Sequence, residues 1–248
     1  YGWQSVFVLT ALLGAVVLGY VIAVLPETHV ENRVAPRPIA LLRGFGRLLV
    51  LREFIGYSLV MTFSAGMYFT FIAGAPYIVV RLMGLSAAVY GAYFIIIGGF
   101  YMLGNYLSGR LAVRLGPNRM ILMGCAASIL AAAGMAAQAL WAPFVPLALF
   151  APVMIGALAN GLVIPSAMAG AISARPDLAG AASGLSGFIQ IGFGAVVSYL
   201  VGAMLTTTQT PLVVLFVVCG LASPLAFVLV NGNRSMRGLL APAKQPNT

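Results

Sequence analysis

The sequence has very little charge, and acidic residues are the scarcest. Only 7% of its 248 residues are charged, with 4 Asp and Glu against 13 Lys and Arg. A soluble domain carries about 25% charged residues because its surface faces water, so the low charge argues against a soluble enzyme, a nucleic-acid-binding domain or a secreted domain. The single His and two Cys leave no cluster of metal ligands and no disulfide framework. We therefore predict no enzymatic activity, no catalytic residues, no metal and no cofactor.

Apolar residues make up 62% of the chain and are gathered into long runs. A helix that crosses a bilayer needs roughly 20 of them in succession. The strands of a membrane barrel alternate apolar and polar residues. Continuously apolar stretches such as residues 94–97 therefore argue against a barrel. The sequence therefore predicts an all-α, polytopic membrane helix bundle. It has seven transmembrane helices, at about residues 3–25, 54–80, 86–109, 120–141, 144–173, 178–205 and 211–230.

The basic residues indicate the topology of these spans, because cytoplasmic loops collect Lys and Arg. Twelve of the 13 lie after the first, third and fifth spans or in the C-terminal tail, and only Arg81 lies on the other side. This asymmetry predicts an external N-terminus and a cytoplasmic C-terminus. Basic residues scattered over so many loops do not form the patch that nucleic acid requires. We therefore predict a lipid bilayer as partner and no nucleic acid.

A polar interval at residues 26–53 separates the first span from the other six. Within it, residues 39–52 read as a basic amphipathic helix suited to the anionic cytoplasmic leaflet, with Arg43 and Arg47 one turn apart. The alternative is an extension of the second span into the headgroups. Because nothing precedes the first apolar run, we expect a fragment of a longer polytopic protein. The predicted domains are the last helix of a truncated N-terminal half, a cytoplasmic linker, a six-helix half and a cytoplasmic tail, at residues 1–25, 26–53, 54–232 and 233–248.

The loop between the third and fourth spans, GRLAVRLGPNR at residues 109–119, is the most specific segment. It resembles the signature loop of the major facilitator superfamily, Gly-x-x-x-Asp-(Arg/Lys)-x-Gly-(Arg/Lys)-(Arg/Lys), in its second-half copy. Val113 stands where that pattern has its acid, which removes the usual carboxylate contact of the gate. The alternative is that these cations only determine topology. We interpret four residues as a cytoplasmic gating loop: Gly109, Arg114 and Gly116, which match the pattern, and Arg119, one place beyond its last basic position.

Five further segments are distinctive: LPET, AGAPY, GNYLSG, GLVIP and AGAASG, at residues 25–28, 73–77, 104–109, 161–165 and 179–184. In these segments and their order, the chain as a whole resembles the C-terminal half of a drug:proton antiporter of the bicyclomycin/chloramphenicol-resistance (Bcr/CflA) type. The resemblance implies that the last six helices form one major facilitator half, built from two inverted three-helix repeats. It also implies export of amphipathic drugs or metabolites in exchange for protons, by alternating access, across a bacterial cytoplasmic (inner) membrane, with a missing N-terminal six-helix half as partner.

The predicted spans contain no acidic residue that could carry a proton. An intramembrane carboxylate is expensive and marks a proton relay, but the four acids and His29 all fall in loops or at span ends. We expect Asp177 to neutralise Arg175 or to cap the sixth span. If protons drive transport, their carrier lies in the missing half.

This half should then shape a substrate cavity, because polar side chains in membrane helices face partner helices or a cavity. The resemblance implies that the second, third, fifth and sixth spans line it, with the fourth and seventh peripheral. Helix packing and the aromatic belt are the alternative roles for such residues. Our candidate cavity residues for small amphipathic substrates are Tyr68, Tyr101, Asn160 and Gln190, flanked by stripes that include Ser64, Phe94, Ile97, Asn105 and Ser108.

Two other functions stay open. One is a seven-helix, N-out receptor-like membrane protein; a retinal pigment is disfavoured because the last span has no Lys for a Schiff base. The other is an uptake carrier of the same superfamily, against which the sequence offers only the scarcity of polar cavity groups.

Overall fold

The computed structural model describes residues 4–24, 38–141, 144–205 and 208–231. Within these ranges, all helices except the second are long and apolar enough to cross a membrane, seven in number. The predicted all-α bundle with seven spans is thereby confirmed. A π-helical turn at Ile78–Leu82 follows the third helix, and a short 3-10 turn at Pro176–Leu178 precedes the seventh. The helices are α1 Gln4–Val24, α2 Pro38–Leu49, α3 Arg52–Tyr77, α4 Ala87–Leu115, α5 Pro117–Trp141, α6 Pro146–Ser173, α7 Ala179–Met204 and α8 Thr210–Asn231.

The chain divides into two compact units, residues 1–40 and 41–248. Helix α1 belongs to the first unit, has no charged residue, and is exposed along its whole length. A predominantly apolar helix of 21 residues matches the hydrocarbon thickness of a bilayer. Residues 25–37 and 232–248 lie outside the described residues, and with them much of the predicted linker (26–53) and the whole predicted tail (233–248).

The second unit is organised around α3 and α6. More than half of each of these spans is buried, against 11% of α4 and 17% of α7. Helix α3 packs against α7 and α8, while α6 packs against α4 and α5. The two predicted three-helix repeats are α3–α5 and α6–α8. The first helix of each repeat therefore contacts the second and third helices of the other repeat. This reciprocal arrangement agrees with a half built from two similar repeats.

Helices α4 and α6 are in backbone contact. A Cβ atom placed on Gly161 would lie 2.5 Å from the carbonyl oxygen of Tyr101 and 2.7 Å from the amide nitrogen of Asn105. On the other side, a Cβ on Gly104 would collide with the carbonyl oxygen of Leu158. Small residues allow membrane helices to approach this closely, and dispersion contacts then hold them together. This contact fixes how α4 lies against α6.

Two helix boundaries differ from the sequence-based prediction. Helix α4 continues to Leu115, six residues beyond the predicted end of its span, so Arg110 and Arg114 lie in a helix and not in a loop. No glycine or proline occurs between Gly109 and Gly116, and long cationic side chains at a helix end can reach the headgroups from within the helix. The predicted amphipathic helix also ends earlier, at Leu49, and α3 starts anew at Arg52. The linker helix is therefore separate from the span that follows it.

Candidate functional site

A cavity of about 300 Å³ opens among α3, α4, α6 and α7. Among the described residues, α5 and α8 contribute nothing to its wall and no charged side chain lines it. These are the four helices that the resemblance implied. The lining residues are Ala65, Tyr68, Phe69, Phe94, Ile97, Gly98, Tyr101, Ala157, Asn160, Ile164, Gln190 and Ile191.

The structure brings all four candidate cavity residues together in this wall. Tyr68, Tyr101, Asn160 and Gln190 come from four different helices and are its hydrogen-bonding side chains. The remaining wall is aliphatic and aromatic. Ligand pockets commonly combine such an apolar surface with a few polar groups that orient the ligand.

Asn160 is the most buried of the four, with 3% of its surface exposed. Its Oδ1 accepts a hydrogen bond from Ser64 Oγ of α3, at 2.5 Å. Because the carbonyl end of the amide is engaged, its NH₂ group is the part left to donate to a ligand. Ser64 thus orients Asn160 as a donor.

Aromatic rings form one side of the cavity. The Tyr68 ring centroid lies 6.1 Å from that of Phe69 and 6.4 Å from that of Phe94, across α3 and α4. Such inclined pairs place ring edges against ring faces and hold each other in position. Tyr101, on the same face of α4, is 41% exposed. The rings offer flat apolar surface and two hydroxyl groups to a ligand.

Helix α7 approaches α3 closely at Gly194, one turn after Gln190, and this approach places Gln190 at the cavity. A Cβ on Gly194 would lie 2.5 Å from the Phe69 ring, so this glycine leaves room for the ring against α7. Ser198 Oγ then donates to the carbonyl oxygen of Phe69, at 3.4 Å. Phe69 therefore joins α3 to α7 and lines the cavity beside Gln190.

Two flanking polar residues predicted for the same stripes pair with other groups of the protein instead. Ser108 Oγ lies 3.0 Å from Ser166 Oγ, buried between α4 and α6. The Asn105 amide donates to the carbonyl oxygen of Tyr101 in its own helix, at 2.9 Å. These groups pair with the protein itself, because a polar group inside a membrane needs an internal partner.

Sequence reasoning missed some of the apolar wall. Ala157 lies one turn before Asn160 and Ile164 one turn after it, so the helical period could have identified both. Phe69 and Ile191 adjoin Tyr68 and Gln190 in sequence, and helical spacing alone does not place neighbours on a shared face. Their position follows from the way α3 and α7 cross.

The predicted gating loop is a tight turn between α4 and α5. Gly116 has a φ of 83°, and its N–H donates to the carbonyl oxygen of Ala112. Arg114 lies in the last turn of α4, and Arg119 in the first turn of α5. A Cβ on Gly109 would meet nothing within 4 Å, so within the described residues no other helix lies close to this glycine.

A contact that the sequence did not reveal joins this turn to the bundle. Tyr57 of α3 donates from its hydroxyl to Asn118 Oδ1 in the first turn of α5, at 2.8 Å. A Cβ on Gly170 of α6 would lie 2.8 Å from the Tyr57 ring, so this glycine makes room for the tyrosine. Beside the turn, the Arg110 guanidinium lies over the Tyr106 ring, 5.2 Å from its centroid.

The turn supplies a test of backbone strain. We expect Gly116→Ala to lower the free energy of unfolding by about 1–3 kcal/mol, because φ of 83° with ψ of 156° belongs to a region that only glycine adopts readily. Thermal unfolding in detergent measures the effect. Gly109→Ala is the matched control and should leave stability unchanged or slightly raised, since it adds a methyl group to open space on a helix. Equal melting temperatures for the two variants would contradict the strained turn.

Comparison with known proteins identifies relatives along most of the chain. It is 27% identical over 241 residues to a bicyclomycin resistance protein homolog of Haemophilus influenzae, covering 96% of this chain and 60% of that protein. It is 26% identical over 227 residues to the uncharacterized MFS-type transporter YdgK of Bacillus subtilis, covering 91% and 56%. The multidrug transporter MdfA of Edwardsiella piscicida is 28% identical over 124 residues, covering 50% and 30%. The chain thus spans at most about 60% of the length of these relatives.

The family comparison covers most of the helices described above. The Major Facilitator Superfamily matches residues 1–198, which run from α1 into α7. The match includes every residue that lines the cavity and the α4–α5 turn with its signature-like residues. The chain therefore belongs to the Major Facilitator Superfamily.

Proposed function

We propose that this chain is the C-terminal part of a transporter that exports amphipathic drugs or metabolites in exchange for protons. It would work by alternating access, with this part forming one wall of the substrate cavity. The observation that carries the proposal is the cavity among α3, α4, α6 and α7, with its four polar side chains in an otherwise apolar wall. Relatives named for bicyclomycin resistance and multidrug transport support a drug as cargo.

The chemistry of the wall favours neutral or amphipathic ligands. Its volume of about 300 Å³ is at the lower end of the range for drug-sized ligands, as befits one side of a larger cavity. Aromatic faces bind flat apolar groups, and the Asn160 NH₂ group offers a donor to a ligand carbonyl or hydroxyl. Among the described lining residues no fixed charge selects for an ionic substrate.

We place the proton-binding group in a partner N-terminal six-helix half. Asp177 makes a two-point ion pair with Arg175 at the end of the bundle, with N···O distances of 2.7 and 2.8 Å. Glu53 lies in the first turn of α3. Neither carboxylate lines the cavity. The mostly exposed spans α4 and α7 would supply the surface for the partner half.

The proposed location is a bacterial inner membrane, with the C-terminus in the cytoplasm. Within the second unit, the arginines before α3, at the α4–α5 turn and after α6 gather at one end, while Arg81 lies at the other end of α3. The positive-inside rule makes the arginine-rich end cytoplasmic. Helix α1, which precedes the linker, would then begin outside.

Joining this chain to the helices of a relative's N-terminal half that precede its last one tests the proposal, because α1 would supply that last helix. We expect the joined protein to expel a phenicol or a fluorescent cation from vesicles, with efflux lost when a protonophore collapses the proton gradient. Proton movement opposite to the substrate supports an antiporter, whereas movement in the same direction would favour an uptake carrier.

The chain by itself provides the control. Without a carboxylate in its cavity it should not accumulate substrate against a gradient in liposomes. Proton-driven uphill flux from this chain alone would contradict the division of roles. Absence of transport by a correctly inserted joined protein, over a panel of drugs, would argue against drug export.

A further inference from the structure

A second cavity, of about 550 Å³, opens to the surroundings where α2 meets the end of the bundle. Half of its lining residues are arginines, whereas no described residue lining the first cavity is charged. The arginines come from sequence positions far apart, two from α2 and one from the α6–α7 connection. The lining residues are Arg43, Gly46, Arg47, Val50, Leu51 and Arg175.

Helix α2 is held against the bundle by one of its faces. Leu48 is fully buried and packs in a cluster with Phe54 of α3 and Ala171 of α6. A Cβ on Gly44 would lie 3.6 Å from Leu178 Cδ2, so α2 also approaches the start of α7. This packing determines which residues of α2 remain at the surface.

The exposed part of α2 has a cationic side and an apolar side. Arg43 and Arg47 are one turn apart and both are exposed. Leu42 and Leu49 lie on the adjacent side, 66% and 49% exposed, and Val50 at the cavity rim is 80% exposed. Apolar side chains exposed next to cations are typical of a helix that lies in the membrane interface.

Arg175 is held in place by its partner. Its Nε and Nη2 atoms donate to the two carboxylate oxygens of Asp177, at 2.8 and 2.7 Å. The hydrogen bond and the charge of Asp177 raise the pKa of the Arg175 guanidinium, so it stays charged. A guanidinium has five N–H donors, and this two-point pair leaves the others for a second anion. Three arginines and one carboxylate give the site a net positive charge of two.

We propose that Arg43, Arg47 and Arg175 bind the phosphate of an anionic phospholipid headgroup. The guanidinium fork matches phosphate oxygens. The exposed Leu42 and Leu49 beside the arginines favour a lipid over free phosphate, because they offer acyl chains an apolar surface that inorganic phosphate would not use. A lipid in this position would join the linker helix to the α6–α7 connection and hold both at the interface.

Native mass spectrometry of the purified 248-residue chain tests the site without any need for transport. Detergent-solubilised protein is titrated with phosphatidylglycerol or with phosphatidylethanolamine. We expect preferential retention of phosphatidylglycerol, with affinity falling about fivefold for each arginine removed in Arg43→Gln, Arg47→Gln and Arg175→Gln. Arg43→Lys and Arg47→Lys keep the charge without the fork and should weaken binding less.

Arg81→Gln is the matched control, since it removes the same charge at the opposite end of α3. It should retain phosphatidylglycerol as the unmodified chain does. Equal loss in Arg81→Gln and in the site variants would overturn the proposal, because it would show general attraction and not a site. Displacement of phosphatidylglycerol by inorganic phosphate, with no preference between lipids, would also overturn it in favour of a free-phosphate site. Circular dichroism on each variant verifies that loss of lipid is not loss of fold.

Discussion

Gly161→Ala is expected to lower the free energy of unfolding by about 1–3 kcal/mol or more, the range for overpacking a well-packed contact. The added methyl group would lie 2.5 Å from the Tyr101 carbonyl oxygen and 2.7 Å from the Asn105 amide nitrogen. These are backbone atoms of α4, so no side chain can rotate away to make room. Relief requires α4 and α6 to separate, which also breaks the pairing of Ser108 with Ser166. Thermal unfolding in detergent should show a clear loss of stability.

Gly99→Ala provides the matched control. It makes the same change in α4, where a Cβ would meet nothing within 4 Å. We expect its melting temperature to equal or slightly exceed that of the unmodified chain, because alanine favours helix over glycine. If Gly161→Ala unfolds at the same temperature as Gly99→Ala, the close approach of α4 and α6 is wrong.

Asn160→Leu should weaken substrate binding roughly tenfold in the joined transporter, a value within the range for an unpaired buried hydrogen-bonding group. The substitution removes the NH₂ donor from the cavity wall and leaves Ser64 Oγ without its acceptor. Leucine has a similar size, so the shape of the cavity changes little. The measurements are the dissociation constant for a phenicol and the rate of its efflux.

Asn105→Leu separates this effect from a general cost of losing an amide. Asn105 donates to the Tyr101 carbonyl of its own helix and does not line the cavity. Its variant should bind the phenicol with unchanged affinity. An equal loss of affinity in both variants, or no loss in Asn160→Leu, would remove Asn160 from the proposed binding surface.

The sequence predicts the architecture correctly wherever only one structure can satisfy the bilayer. Long apolar runs have to be helices, because only a helix satisfies its own backbone hydrogen bonds in lipid. Tyr68, Tyr101, Asn160 and Gln190 could be singled out because polar side chains within a span avoid lipid. The pairing of Arg175 with Asp177 was likewise expected from their proximity, and the structure confirms it.

The sequence-based predictions were wrong where two different arrangements of a polar side chain would both keep it away from lipid. Ser108 shares a helical stripe with Tyr101, yet it pairs with Ser166 and does not face the cavity. The sequence predicts a loop at Arg110 and Arg114, whereas both lie in α4, because a cation at a helix end can reach water from inside the helix. In each case the choice depends on helix rotation and length, which local sequence specifies weakly.

Apolar length and composition alone were enough to predict an all-α bundle of membrane-crossing helices, and the placement of the basic residues predicts its topology. Hydrophobic length and charge placement are local properties, and the bilayer acts on each span separately. Which polar groups meet, by contrast, depends on how the helices pack against one another. The backbone contact at Gly104 and Gly161 determines how α4 faces α6, and so which side chains line the cavity. Likewise, the packing of α2 brings Arg43 and Arg47 beside Arg175, because burial of Leu48 leaves the basic face of that helix at the surface.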